Sequence, residues 1–397
     1  MIRKLVPVTL VLASFVAWSF SGVSAQEKPK EAEKPKTLWE EVTLFSYIEN
    51  SYTGNLTGAG RRAVNEFRLY DFNEGYTFNI AEFSIKKDPS EKYPFGFGLV
   101  ATAGLDSQKN HSLGIFRDEE QVFPFRNTKW FDFQEAYLSA TVPLGSGLTL
   151  KGGKFVTLLG YEVIESPNNL NFSRGYLFSL AIPFTHTGGL VSYTLTDWFS
   201  VTAGVVLGWD NSRDNNDRPS ATGQFAFTPV KDFTANLNWI SGPEQNDNNT
   251  KTRYVLDWVL NYTGFKNTTL GLNVDYGHET KEASLEALDT RQSKNATWWG
   301  WAAYAAYDWT EKLRTSLRQE YFKDADGART GFGSKVDLWS TTATVQYKIW
   351  KGLVGRAEFR HDDADEKVFK FRGMRDIGSP TSTSLDTISL SLYYSFF

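Results

Sequence analysis

From Trp39 onward the chain alternates apolar and polar residues in one segment after another. Phe95, Phe97, Leu99, Ala101, Ala103 and Leu105 share one side of an extended backbone, with Gly96, Gly98, Thr102 and Gly104 on the other. Ala136, Leu138, Ala140 and Val142 repeat the pattern against Glu135, Ser139 and Thr141. Tyr254, Leu256, Trp258, Leu260 and Tyr262 do so again, as do Trp299, Trp301, Ala303, Ala305 and Tyr307. A period of two means β-strand with one apolar and one polar face. The pattern predicts about sixteen strands of roughly 9 to 12 residues, a length that crosses a bilayer at a tilt. Their centres fall near residues 46, 81, 100, 136, 152, 192, 204, 225, 237, 257, 273, 302, 317, 342, 357 and 391.

The connections alternate between two classes. Pro143–Gly147, Thr196-Asp197, Val230–Asp232, Gly264–Asn267, Trp309–Glu311 and Trp350-Lys351 are short, with Lys87–Pro94 slightly longer. The long ones are 53–75, 106–129, 158–186, 210–219, 241–251, 279–295, 323–335 and 362–383. Short turns on one rim and long loops on the other describe an all-β, transmembrane, antiparallel up-and-down β-barrel. A soluble β-sandwich needs neither strands this long nor so regular an alternation.

Charge decides which face meets which solvent. Arg314, Arg318 and Glu320 share the polar face of one strand; Arg356, Glu358 and Arg360 share that of another. An unpaired charge in a dry core is very costly, so these faces point to a lumen and the apolar faces to lipid. Trp198, Trp209, Trp239, Trp309 and Trp350 lie near strand ends, where interfacial aromatic girdles form.

The longest connection, 158–186, reads LLGYEVIESPNNLNFSRGYLFSLAIPFTH. Its apolar and aromatic content requires a surface to pack on, and the reading is an inward-folded loop that narrows the barrel. A barrel of about sixteen strands is too wide for side chains alone to fill. The loop carries Glu162, Glu165 and Arg174. Half a turn around the barrel stand Arg314, Arg318, Glu320, Arg356, Glu358 and Arg360, which completes the candidate constriction set. Two arrangements are open: loop acids facing a basic wall across a gap, which sets a transverse field, or arginines paired by Glu320 and Glu358, which stiffens the wall.

Bulk properties add the compartment. Met1–Ala25 has basic Arg3 and Lys4, an apolar run from Leu5 to Phe20, and Val23-Ser24-Ala25 as a cleavage site, the layout of a secretory signal peptide. Gln26–Leu38 is a Lys/Glu/Pro segment without core-forming residues, expected as a disordered periplasmic linker before a barrel domain spanning 39–397. Mean hydropathy is -0.38, yet aromatic residues make up 15% of the chain, which suits amphipathic strands rather than apolar helices. The absence of Cys excludes thiolate metal sites and disulfides. A net charge of -4 implies no nucleic-acid partner.

Catalytic and cofactor chemistry is thin. His111, His186, His278 and His361 lack metal-ligand spacing. His111-Ser112 and His361-Asp362 are adjacent pairs in polar loops rather than a catalytic constellation, and Gly145-Ser146-Gly147 is a hairpin turn. Asp210–Asp217 and Asp324–Gly327 contain fragments of calcium-loop spacing and are read by default as solvated loops.

The run Gly160–Gly188, followed by Gly208-Trp209-Asp210 and Asp214-Asn215-Asn216, resembles the OmpL-like family of outer-membrane β-barrel porins; YIENSYTGN from Tyr47 and FNIAEFSIKK from Phe78 are also similar. The resemblance implies passive passage of small solutes and brings no catalytic residues or cofactors. The last strand, Leu385–Phe397, resembles the C-terminal signal read by the outer-membrane assembly machinery, although Phe397 falls on the polar phase. The expectation is a porin of the outer membrane passing small hydrophilic solutes and ions, surrounded by lipid and lipopolysaccharide. A homotrimer is one possible assembly, with Gly355 and Ala357 small enough for protomers to pack. The alternatives are a sugar- or anion-selective channel and, further off, an adhesin or structural barrel.

Overall fold

A computed structural model of the chain describes residues 37–57, 67–71, 74–115, 129–280, 295–369 and 380–396. The leader, all but the end of the Lys/Glu/Pro segment, and Phe397 lie outside the described residues. Among them the strands are β1 (Thr43–Asn55), β2 (Gly75–Lys87), β3 (Phe95–Ala103), β4 (Phe131–Val142), β5 (Leu148–Val156), β6 (Thr185–Thr196), β7 (Phe199–Val206) and β8 (Ser220–Val230). They continue with β9 (Phe233–Gln245), β10 (Asn248–Tyr262), β11 (Thr268–Glu279), β12 (Ala296–Asp308), β13 (Leu313–Asp324), β14 (Val336–Trp350), β15 (Leu353–Ala364) and β16 (Ser384–Phe396). Each strand pairs antiparallel with its chain neighbours and β1 pairs with β16, closing the barrel. Closure satisfies every sheet edge internally, which hydrocarbon demands.

The faces sort as the period requires. Leu138 is 72% exposed and Trp258 37%, whereas Arg318 is 0% and Arg356 3% exposed. Apolar side chains therefore face outward and the charges inward. Trp198, Trp309 and Trp350 stand exposed at the short-turn rim, and Trp299 and Trp339 toward the other. Trp209 departs from the expected girdle. Gly208, at φ 116°, turns the chain away from the strand direction, and the Trp209 ring carries the guanidinium groups of Arg253 and Arg329 and meets Trp298 edge to face.

One long connection is much shorter than the sequence implied. Residues 241–251 are mostly strand, and β9 and β10 meet in a tight turn at Asn246-Asp247, where Asp247 takes φ 51°. Polar residues broke the apolar period there. Their groups are bound instead: Ser220 Oγ and the Trp209 amide donate to Glu244, and Gln245 donates to Glu279.

The interior is not lined by water alone. Inward residues near the long loops include Trp298, Phe322, Val336 and Leu338, all fully buried. They receive Tyr176, Leu177, Phe178, Ile182 and Phe184 of the segment between β5 and β6, and together these form an apolar cluster inside the cylinder.

Candidate functional site

The segment between β5 and β6 folds into the barrel and is bound along its length. It begins at Gly160, whose amide donates to Asp257 Oδ2 of β10 at 2.9 Å. The Tyr161 amide donates to Asn273 Oδ1 of β11 at 3.1 Å, and its ring stacks on Tyr304 of β12 with centroids 4.0 Å apart. Gly271 makes room for this ring: a Cβ there would meet the Tyr161 ring at 2.3 Å.

Inward carboxylates of the far wall then capture the loop backbone. Glu358 on β15 accepts the amides of Phe172 at 2.7 Å and Ser173 at 3.0 Å, and also the Thr344 hydroxyl of β14. Glu320 on β13 accepts the amide of Tyr176 at 2.6 Å. Charge-assisted hydrogen bonds of this kind are roughly twice as strong as neutral ones. Gly175 passes so close that a Cβ would stand 2.5 Å from Glu320 Oε2. The loop then makes a single π-helical turn, Leu177–Ala181, whose last carbonyl accepts the Trp298 indole N–H at 3.1 Å.

Arginines hold the other side of the same backbone. Arg318 pairs with Glu162 at 2.6 Å, approaches Glu320 at 3.4 Å and donates to the Ser173 carbonyl. Arg360 donates to the Arg174 carbonyl at 2.7 Å and pairs with Asp362 at 2.8 Å. Arg356 pairs with Glu49 of β1 and donates to the Ser166 carbonyl at 3.1 Å. Glu162 itself accepts the Gly175 amide at 2.6 Å. Loop acid and wall arginine thus touch directly and share the same partners.

Not every residue of the predicted set joins this knot. Arg174 turns back into its own loop, donating to the carbonyls of Val163, Ile164 and Phe172, and covers the Tyr70 ring. Glu165 is half-buried beside β4, where Gln134 donates to it at 2.6 Å; loss of surrounding water, and then the charge of Glu135, raise its carboxyl above the usual range. Arg314 stands apart near the short turn, half-exposed and paired with Asp308 at 2.8 Å.

The sequence left several anchors unnamed. Asp257, Asn273, Trp298, Tyr304 and Asp362 all receive the loop, Asp362 through the Tyr176 hydroxyl at 2.6 Å; Asp362 also pairs with Arg68 of the segment after β1. Asp257 carried a legible signal, since it interrupts an apolar run on an inward phase. Trp298 carried only its phase, opposite to that of its outward neighbour Trp299.

The remaining polar candidates find structural partners. His186 is buried, with Nδ1 at 2.9 Å from the Gly208 carbonyl and Nε2 at 3.0 Å from Thr157 Oγ1. His361 and Asp362 point to opposite faces, as adjacent strand residues must, and His361 pairs with Asp386 instead. His111 bonds the Phe131 carbonyl and Ser112 the Thr185 hydroxyl. Asp210 accepts the amides of Phe184 and Thr185, closing the far end of the loop. Asp324, expected in a solvated loop, is fully buried and accepts the amides of Ala328, Arg329 and Thr330. Among the described residues no acidic or histidine cluster is arranged to hold a metal ion.

The family model for "Putative beta-barrel porin-2, OmpL-like" matches residues 41–396. The chain belongs to this family of outer-membrane β-barrel porins. No curated protein sequence matches it. Among solved structures it is similar to the outer membrane channel DcaP of Acinetobacter baumannii, with a TM-score of 0.56 and 12% identity over 89% of this chain and 97% of that one. An anion-selective porin from Comamonas acidovorans gives 0.55 and 8% over 89% and 99%. OmpT of Vibrio cholerae in its trimer form gives 0.51 and 11% over 89% and 99%. At such identities the likeness concerns the fold. The family and the closed barrel together make this porin a bacterial outer-membrane protein capable of passive solute transport.

Proposed function

We propose that this porin passes small hydrophilic solutes and ions by passive diffusion and that the loop between β5 and β6 sets its narrowest section. The observation that carries the reading is the capture of loop amides by Glu320 and Glu358, carboxylates that project into the barrel from the opposite wall. In this reading Glu162, Glu165, Arg174, Arg318, Glu320, Arg356, Glu358 and Arg360 form the constriction, with Arg314 on its short-turn side. Because Arg318 meets Glu162 directly, much of the charge cancels locally, which supports a stiffened wall over a transverse field. Planar-bilayer recording tests the reading. Deleting part of Glu165–Ser173 is expected to raise single-channel conductance; an unchanged conductance removes the loop from the constriction.

A substrate-selective channel, for a sugar or an anion, is the second reading. The number of points at which the loop is fastened favours it, because a fixed aperture discriminates shape better than a yielding one. The ratio of cation to anion permeability, from the reversal potential in a salt gradient, separates the two. We also propose that Met1–Ala25 directs export and is removed, leaving Gln26–Leu38 as a periplasmic tail, which N-terminal sequencing of the mature protein checks. A trimer is supported by the outward position of Gly355 and Ala357 and by the trimer form of OmpT.

A further inference from the structure

The loop covers only part of the inner wall. On the short-turn half of β11 to β16, the inward side chains of Thr269, Ser316, Gln346 and Ser391 are buried. On the same half of β5 to β8, the inward Thr149, Ser192, Thr202 and Gln224 remain partly exposed. These side chains of the second arc are open to water where those of the first are covered.

These exposed groups form one continuous row. Thr141 of β4 is the cross-strand partner of Thr149, Thr149 of Ser192, Ser192 of Thr202, Thr202 of Gln224, and Gln224 of Asn238. Hydrogen bonds join Thr141 to Thr149 at 3.1 Å, Ser192 to Thr202 at 2.8 Å and Gln224 to Asn238 at 2.8 Å. Barrel strands tilt, so a row of direct partners climbs the wall. Thr141 lies beside the short-turn end of β4, while Asn238 lies well inside β9. There Asn238 donates to Asp257 at 2.6 Å, the carboxylate that also receives the first loop amide. The row therefore runs from the short-turn rim to the foot of the loop.

Its chemistry is uniform: every rung is a hydroxyl or a carboxamide, each able to donate and to accept. Lys151 is the nearest cation on β5, and its ammonium sits over the Tyr137 ring at 4.4 Å. Such a row exchanges hydrogen bonds with a solute's hydroxyls as they leave water, and offers no fixed charge to offset the desolvation of an ion.

Resting on the reading of this chain as an open pore, we infer that solutes travel along the Thr149–Ser192–Thr202–Gln224 row and that the channel favours small neutral polyhydroxylated molecules over ions of equal size.

The native chain has no Cys, so single cysteines report access cleanly. Thr202→Cys and, separately, Ser316→Cys are reconstituted in planar bilayers and exposed to a cationic methanethiosulfonate. Loss of current with Thr202→Cys and none with Ser316→Cys is expected; modification of Ser316→Cys with Thr202→Cys inert overturns the path. Gln224→Glu provides a second measurement should either cysteine variant insert poorly: its reversal potential is expected to shift toward cation selectivity, and no shift counts against the path. Liposome swelling with native protein tests the solute class, using a neutral polyol, a carboxylate and an amine of equal size. Fastest entry of the polyol is expected; faster entry of either ion overturns the preference. Native protein that conducts nothing at all overturns the pore reading itself, a result distinct from these.

Discussion

Two arcs of the same inner wall treat polar groups in opposite ways. From β10 through β16 and on to β1, most inward residues are buried, and the charged ones at the level of the loop each meet the loop or a neighbour. On the short-turn half of β5 to β8, Thr149, Ser192, Thr202 and Gln224 are neutral and partly exposed, bonded to one another or to a neighbouring strand. Both arcs follow the same period of two, so the strand pattern does not distinguish them. The loop does. It lays most of its backbone amides and carbonyls against the first arc, and full charges are tolerable in a dry place when such partners satisfy them.

Removing a charge from the covered arc should have the largest effect. Arg318→Met leaves Glu162 buried without its cation and Glu320 with only the more distant Arg360, and a loss of about 3–5 kcal/mol is expected. Urea unfolding in lipid vesicles measures it. Glu358→Ala removes the shared acceptor of the Phe172 and Ser173 amides, at about 1–3 kcal/mol for each amide left unsatisfied. The same titration should place it at or just below Arg318→Met. Gly175→Ala forces a methyl toward Glu320 and is expected to cost about 1–3 kcal/mol, with noisier single-channel current as the loop lifts. The smallest effect belongs to Arg314→Gln. Its ion pair is half-exposed, and such pairs contribute about 0–1 kcal/mol, so its unfolding midpoint should stay near native. A large loss there would erase the contrast between covered and open wall.

Most of the barrel was legible because strand period, strand length and turn class are local properties. The tight β9–β10 turn was missed where polar residues broke the apolar rhythm, since their satisfaction depends on Ser220, the Trp209 amide and Glu279, distant in sequence. The inward course of the loop was legible from its apolar content. Its landing place was legible in part: counting around the barrel led to the strands bearing Arg318 and Arg356, but not to Arg314's separation from them. Whether opposite charges would face across water or touch depends on loop conformation, which no period encodes. The same limit hid Trp298 and Asp362, whose roles exist only once the loop arrives.

This loop is fastened into the wall by the strands it grips. Amide hydrogen exchange, followed peptide by peptide on the protein in lipid nanodiscs, reads it directly. Protection across Asn171–Tyr176 comparable to that of β13 and β15 is the predicted result. Exchange of that stretch at the rate of an unbonded surface loop would contradict the account.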